Sequence, residues 1–286
     1  IGLYALLGWE PRQLAESGRR VASAMNDRPG WSGTTFECEN LVAGRVGTER
    51  SGSAWLSANE MRGAFLDGAA YTLVDGRLLD AEALAQLVWN SGPESLDSVG
   101  GEYCAVLFDR ERRRLWVATD PAGARTTYQV RRGGRLVLSS DLGAAIAAGL
   151  IPKRLDRAFL GVLLRFNKCR PGDRTLFENV TVLPAGVVRE YDLERLESVH
   201  DCLYAQPVEL DLATDDDTWV EELATLTQQA VRSTVDRVGG RAVLALTGGL
   251  DSRLILAALD LEQRRTVSAV SCGMLHSDEV RLAKQS

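Results

Sequence analysis

Ala242 to Leu246 is an unbroken apolar run, followed at once by Thr247-Gly248-Gly249-Leu250-Asp251-Ser252 and then by Leu254, Ile255, Ala258 and Leu259 at helical spacing. Few folds accommodate that order. An apolar run without alternation predicts a strand buried on both faces, as in a parallel sheet, and paired glycines permit the tight turn that feeds a strand into a helix. A second strand, Thr266 to Ser271, completes a βαβ unit and assigns this part of the chain to an α/β parallel-sheet domain. In such sheets ligands bind beyond the carboxyl ends of the strands, where free amides and the helix dipole favour an anion. Thr247 and Ser252 add hydroxyl donors. Asp251 would repel a phosphate unless a cation stood between them, and magnesium takes one or two carboxylates together with phosphate oxygens. The loop therefore predicts ATP bound with Mg2+, with Asp251 on the metal. A plain βα turn capped by Asp251 is the alternative. No lysine follows the glycines as in GxxxxGK[ST], which disfavours ordinary kinase or GTPase chemistry.

The chain before about residue 200 is written in short strands. Cys104–Phe108 and Leu115–Ala118 flank a charged turn, and Tyr128–Val130 and Leu136–Leu138 flank the turn RRGG, so both pairs predict antiparallel hairpins. Helical pieces at Ala81–Trp89 and Leu142–Ala148 make this an α+β region with helices packed on sheets. The acidic, aperiodic QPVELDLATDDD then marks a boundary, giving domains 1–204 and 205–286. Thr218 with Glu221 predicts a capping box. The helix it opens carries Val220, Leu223, Val231, Val235 and Val238 near helical spacing, and Gly239-Gly240 stops it.

Composition excludes several classes. At 286 residues and 45% hydrophobic, the chain has room for about two cores. A net charge of -6 argues against general nucleic-acid binding, and Arg110–Arg114 reads as a solvated turn. No apolar run is long enough for a membrane span, and the start IGLYALLGWE lacks a basic n-region, so a cytoplasmic protein is expected. Cys38, Cys104, Cys169, Cys202 and Cys272 are scattered, and His200 and His276 are the only histidines. That set supports neither a zinc site nor a disulfide framework.

Thr247–Ser252 resembles the SGGxDS loop of the asparagine synthetase family, and SCGMLHSDEVRLAKQ, Ser271–Gln285, resembles its following strand and helix. By that likeness Leu246, with Cys272 and Gly273, borders adenine. Gly248, Gly249, Thr247 and Ser252 hold phosphates, and Asp251 holds magnesium. Asp278 is a second metal candidate or a helix-start residue beside Ser277. Gly101–Val130, LVLSSDLGAAIAAG and RTLFENVTVLPAGVVREY resemble the family's glutamine amidotransferase domain. The resemblance thus implies an α+β, Ntn-hydrolase-like domain followed by the start of an ATP pyrophosphatase domain. In glutamine-hydrolysing members a cysteine precedes the N-terminal glycine; here Ile1 stands there, and the glutamine-pocket NGE is read as Asp75-Gly76-Arg77. These departures imply a silent glutaminase, as in β-lactam synthetases and lasso-peptide cyclases. Such enzymes adenylate a carboxylate that an amine of the same molecule captures, in antibiotic-type ring closure.

The implied substrate is a small molecule or peptide with a carboxylate and an amine, and the likeness admits a leader-peptide-binding or protease partner, with no nucleic acid or membrane. Arg253 is read either as a phosphate partner or as a solvent-facing residue. The chain stops at Lys284-Gln285-Ser286 within what resembles an early synthetase helix, so a piece of a longer protein is expected, and catalytic acid-base residues are unassigned. An ammonia-dependent amide synthetase and a non-catalytic nucleotide-binding scaffold stay open.

Overall fold

A computed structural model describes residues 2–167, 172–205, 215–274 and 277–285, and Ile1, Cys169 and His276 lie outside them. The chain divides into two compact units, Ile1–Pro207 and Val208–Ser286.

The strands of the first unit are β1 (Gly2–Leu7), β2 (Ser32–Glu37), β3 (Leu41–Gly47), β4 (Gly52–Leu56), β5 (Arg62–Thr72), β6 (Leu78–Leu79) and β7 (Val99–Asp109). They continue as β8 (Arg114–Thr119), β9 (Tyr128–Arg132), β10 (Arg135–Ser139), β11 (Val180–Val182), β12 (Val187–Asp192) and β13 (Ser198–Leu203). Its helices are α1 (Pro11–Met25), α2 (Ala81–Ser91), α3 (Leu142–Ala147) and α4 (Arg157–Phe166). A six-stranded antiparallel sheet runs β11-β9-β10-β1-β3-β2, and a seven-stranded one runs β13-β12-β8-β7-β5-β4 with β6 on β5. Both expected hairpins are present, as β7–β8 and β9–β10.

Side-chain alternation builds three apolar layers. Leu3, Ala5 and Leu7 of β1 meet Cys104, Val106 and Phe108 of β7 between the sheets, where Phe36 stacks on Phe108 at 4.5 Å. Tyr4 and Leu6 point the other way, against Leu14 and Val21 of α1 and Ala144 of α3. Tyr103, Ala105 and Leu107 of β7 cover α2 through Leu84 and Val88. Each fully buried large side chain contributes about 1.5–3 kcal/mol of transfer free energy. Asp80, Asp141 and Asp156 cap α2, α3 and α4 by accepting first-turn amide hydrogens, each cap worth about 1 kcal/mol.

The second unit holds α5 (Asp216–Arg237), β14 (Val243–Ala245), α6 (Leu250–Ala258), α7 (Leu261–Thr266), β15 (Ser268–Val270) and α8 (Asp278–Gln285). β14 and β15 pair in parallel, and no other strand joins them among the described residues. The parallel order is as expected. Its burial is not: Val243 is 69% exposed, because a two-stranded sheet offers no second layer for a strand buried on both faces. Leu254 and Ile255 are likewise exposed, as are Val220 and Leu223 of α5, while Ala258, Leu259 and Val235 are buried. The observed element is therefore a small parallel sheet with helices rather than a complete α/β domain. The Thr218–Glu221 capping box does not form, since Asp215 caps α5 one turn earlier and Thr218 donates to it from its backbone N at 3.0 Å. Gly239 and Gly240, at φ 62° and 74°, end that helix as predicted.

Candidate functional site

The first candidate is the loop between β14 and α6. Leu246 N donates to Val270 O at 2.9 Å and Ser271 Oγ donates to Leu246 O at 2.8 Å, so the ends of β14 and β15, with Cys272 just beyond, lie side by side. Gly248 lies against α8: a Cβ there would stand 2.9 Å from Glu279 Cα, so only glycine lets the helix approach the loop this closely. A Cβ on Gly273 would meet Val280 Cγ2 at 3.1 Å, which brings the segment after β15 against the same helix. The expected residues on the loop, after β15 and at the start of α8 thus share one end of the small sheet.

Inside the loop Thr247 N donates to Ser252 Oγ at 3.0 Å, the two hydroxyls are 3.0 Å apart, and Gly249 N donates to Thr247 Oγ1 at 3.1 Å. Both hydroxyls therefore brace the turn. Arg253 folds back, its Nε donating to Gly249 O at 3.2 Å. α5 and α7 open with a capping aspartate, whereas α6 opens with Gly249 and has no side-chain cap. The amides of Leu250, Asp251 and Ser252 are thus left without a side-chain acceptor among the described residues, and uncapped helix amides are anion donors. The exposed Asp251 stands on this same first turn. Asp278 is paired with Arg281 at 2.9 Å. Among the described residues no group of three His, Cys, Asp or Glu side chains gathers as a metal cage.

The second candidate had no signal in local sequence pattern. Along the inter-sheet face, the apolar stripe of Leu41 and Ala43 on β3 and Phe65 on β5 gives way to Arg45 and Asp67, both buried. Asp67 pairs with Cys104 in the β5–β7 register. Arg125 Nη1 approaches Asp67 Oδ2 at 3.8 Å, and Arg45 Nη2 donates to Ser51 Oγ at 2.8 Å and Thr48 O at 3.1 Å. Arg45 Nε and Asp67 Oδ1 are buried without a hydrogen-bond partner among the described residues, which marks a polar end to an otherwise apolar core. Burial raises the Asp67 carboxyl above its ordinary range against the pull of Arg125 and Arg45. It also pushes the Cys104 thiol far up, with the nearby Asp67 adding to the rise. His200 sits on edge strand β13, three strands from the strand of Cys104, so no Cys-His pair forms between them.

Asp75-Gly76-Arg77 lines neither place. It is a solvent-facing turn between β5 and β6, with Gly76 at φ 70° and Asp75 accepting from the Thr72 hydroxyl and from Arg77 N at 3.1 Å.

Native-state alkylation is expected to modify the exposed Cys272 readily and to leave Cys104 untouched until the protein unfolds, because a thiol buried and held protonated has little thiolate to react. Mass-spectrometric mapping of the alkylated sites checks this. Labelling of Cys104 at the rate of Cys272 would contradict the buried geometry.

Residues 77–201, somewhat under half of the chain, match the glutamine amidotransferase domain family. Over that segment the chain is similar to glutamine amidotransferase domains. Two fungal proteins share 26% identity over 176 residues, 60% of this chain and 25% of their own length: amidase chry2 of Gibberella zeae and amidase chyE of Penicillium rubens. The chain thus spans about a quarter of the length of these relatives. Among solved structures, glutamine phosphoribosylpyrophosphate amidotransferase from B. subtilis aligns at a TM-score of 0.44 and 15% identity, covering 69% of this chain and 48% of that one. A structure of the allosteric regulatory enzyme of purine biosynthesis aligns at 0.43, with 15% identity and the same coverage of each chain. No helix among the described residues is long and apolar enough to cross a membrane.

Proposed function

We propose that this chain serves an ATP-dependent, AMP-forming amide synthetase, with the second unit activating a carboxylate and the first an amidotransferase-like domain that releases no ammonia. The observation that carries this reading is the glycine loop before α6, whose first-turn amides carry no side-chain cap and stand beside the exposed Asp251. Those amides suit the phosphates of a nucleotide. Asp251, free of any ion pair or hydrogen bond among the described residues, suits a divalent cation that arrives with phosphate oxygens. Magnesium bound there would neutralise phosphate charge. Asp278, engaged by Arg281, is the secondary candidate. Leu246, Cys272 and Gly273 would border the base.

The chemistry is adenylation of a carboxylate with pyrophosphate leaving, then capture of the acyl group by an amine of the same molecule, as in lasso-peptide or β-lactam ring closure. A tethered amine gains effective concentration over free ammonia. The amidase names of the fungal relatives favour a second reading, hydrolysis of an amide. Against it, Cys104 is the one buried thiol facing the polar end of the sandwich among the described residues, and it is held protonated.

Calorimetric titration of ATP with magnesium into the protein is expected to show binding that depends on the metal and weakens about tenfold or more in Asp251→Ala, a loss of roughly 1.4 kcal/mol. Equal affinity in the two proteins would remove the nucleotide reading. Amide hydrolysis without ATP consumption would favour the second.

A further inference from the structure

On the outer face of the six-stranded sheet, α1 and the β9–β10 hairpin wall a groove of about 620 Å3, a size that holds small organic ligands. Beneath it lie Val130 and Val137, cross-strand partners buried in the core under α1 and α3. The indole of Trp9 lines it as well. Two positions along the same face of the hairpin, the register sets Arg132 directly opposite Arg135, and both line the groove with Arg20. Like charges directly opposite in an antiparallel pair repel. Arg20 is balanced by Glu16 at 3.9 Å. Arg132 and Arg135 have no carboxylate within ion-pair distance among the described residues, and Arg135 instead lies over the Trp9 ring at 5.1 Å. In a chain of net charge -6, two unbalanced guanidiniums side by side concentrate positive charge at one place.

We propose that this groove binds a small aromatic carboxylate, with the carboxylate bridging Arg132 and Arg135 and the ring resting against Trp9. The planar guanidinium fork matches carboxylate geometry, and a bound anion relieves the cross-strand repulsion. Charge alone would accept any anion. The indole of Trp9 selects one with a flat apolar body, because such a body exchanges water for aromatic contact. The groove lies wholly within the first unit and stands independently of the nucleotide reading.

The test is calorimetric titration with 2-naphthoate and, separately, with its neutral isostere 2-naphthamide. Naphthoate is expected to bind saturably and naphthamide about tenfold or more weakly. The double variant Arg132→Gln/Arg135→Gln should lose that preference for the acid while its melting temperature stays level or rises, since the substitutions remove a repulsion and both side chains are exposed. Absence of saturable naphthoate binding, equal affinity for acid and amide, or an undiminished preference in the double variant would each overturn the proposal.

Discussion

Gly68→Val is expected to abolish cooperative folding of the first unit. Gly68 lies in β5 at φ +102°, and a Cβ there would sit 2.0 Å from Glu102 O and 3.0 Å from Tyr103 Cα, both main-chain atoms of β7. The clash cannot be relieved by a rotamer change. On the partner strand Gly101, at φ +125°, has the same relation to Ala69 O, again 2.0 Å, so the two strands approach each other closely on either side of the Ala69↔Glu102 pair. Separating them would break the pairing that runs from Arg62↔Asp109 to Thr72↔Val99 and open the apolar layers on both sides. A backbone clash, a forbidden φ and lost burial together exceed the roughly 5–15 kcal/mol by which domains are ordinarily stable. Circular dichroism with urea titration reads the outcome. Gly30→Ala is the control: it also changes a positive-φ glycine, at +82°, but nothing lies within 4 Å, and its cost should stay near about 1–2 kcal/mol. A Gly68→Val protein melting within a few degrees of the parent would show that the strands do not meet as described.

The second large effect is alkaline. Tyr103 and Tyr191 are fully buried, and burial lifts each phenol from 10.0 to about 12, against the hydrogen bond shared with Tyr204 in the first case and against Arg189 in the second. Tyr204 moves in the same direction. With the folded value above the unfolded one, the unfolded chain gives up its protons first. Stability is therefore intact below pH 10.0 and is lost progressively as the pH rises toward about 12. Each phenol accounts for about 2–3 kcal/mol of that loss, because every tenfold change in proton affinity is worth about 1.4 kcal/mol. Urea midpoints should fall across this window, and ultraviolet titration should show these tyrosines ionising only with unfolding. A flat stability profile would mean that solvent already reaches the phenols.

How much of this was legible depended on whether the local pattern had a single cause. The hairpins β7–β8 and β9–β10 could be read because a charged turn and a Gly-Gly turn punctuate them; α2 and α3, expected as helical pieces, each prove to follow an aspartate cap. β1 escaped notice because GLYALL is apolar at every position; it is buried on both faces of an antiparallel sandwich, so its pattern does not alternate. The same rule applied to Ala242–Leu246 named the right strand for a burial it does not have. α7 carried a legible signal that went unread, Asp260 with Gln263, which form a complete capping box. Arg45, Asp67 and Arg125 could not be found by spacing at all. Only the pairing of distant strands brings them to one end of the core, and nothing in a local window encodes that juxtaposition.

β1 sits in the middle of its sheet, between β3 and β10, and its Leu3 amide binds Ser140 across 137 positions of chain. A ribosome therefore releases the first strand long before its second neighbour exists. For that interval β3 can shield one edge while the other stays open, an apolar ribbon with unpaired amides and carbonyls. Such long-range closure slows folding and lengthens the exposure of the nascent chain. Shortened versions ending before β10 would keep that edge permanently, which makes them seeds for aggregation rather than smaller folded domains.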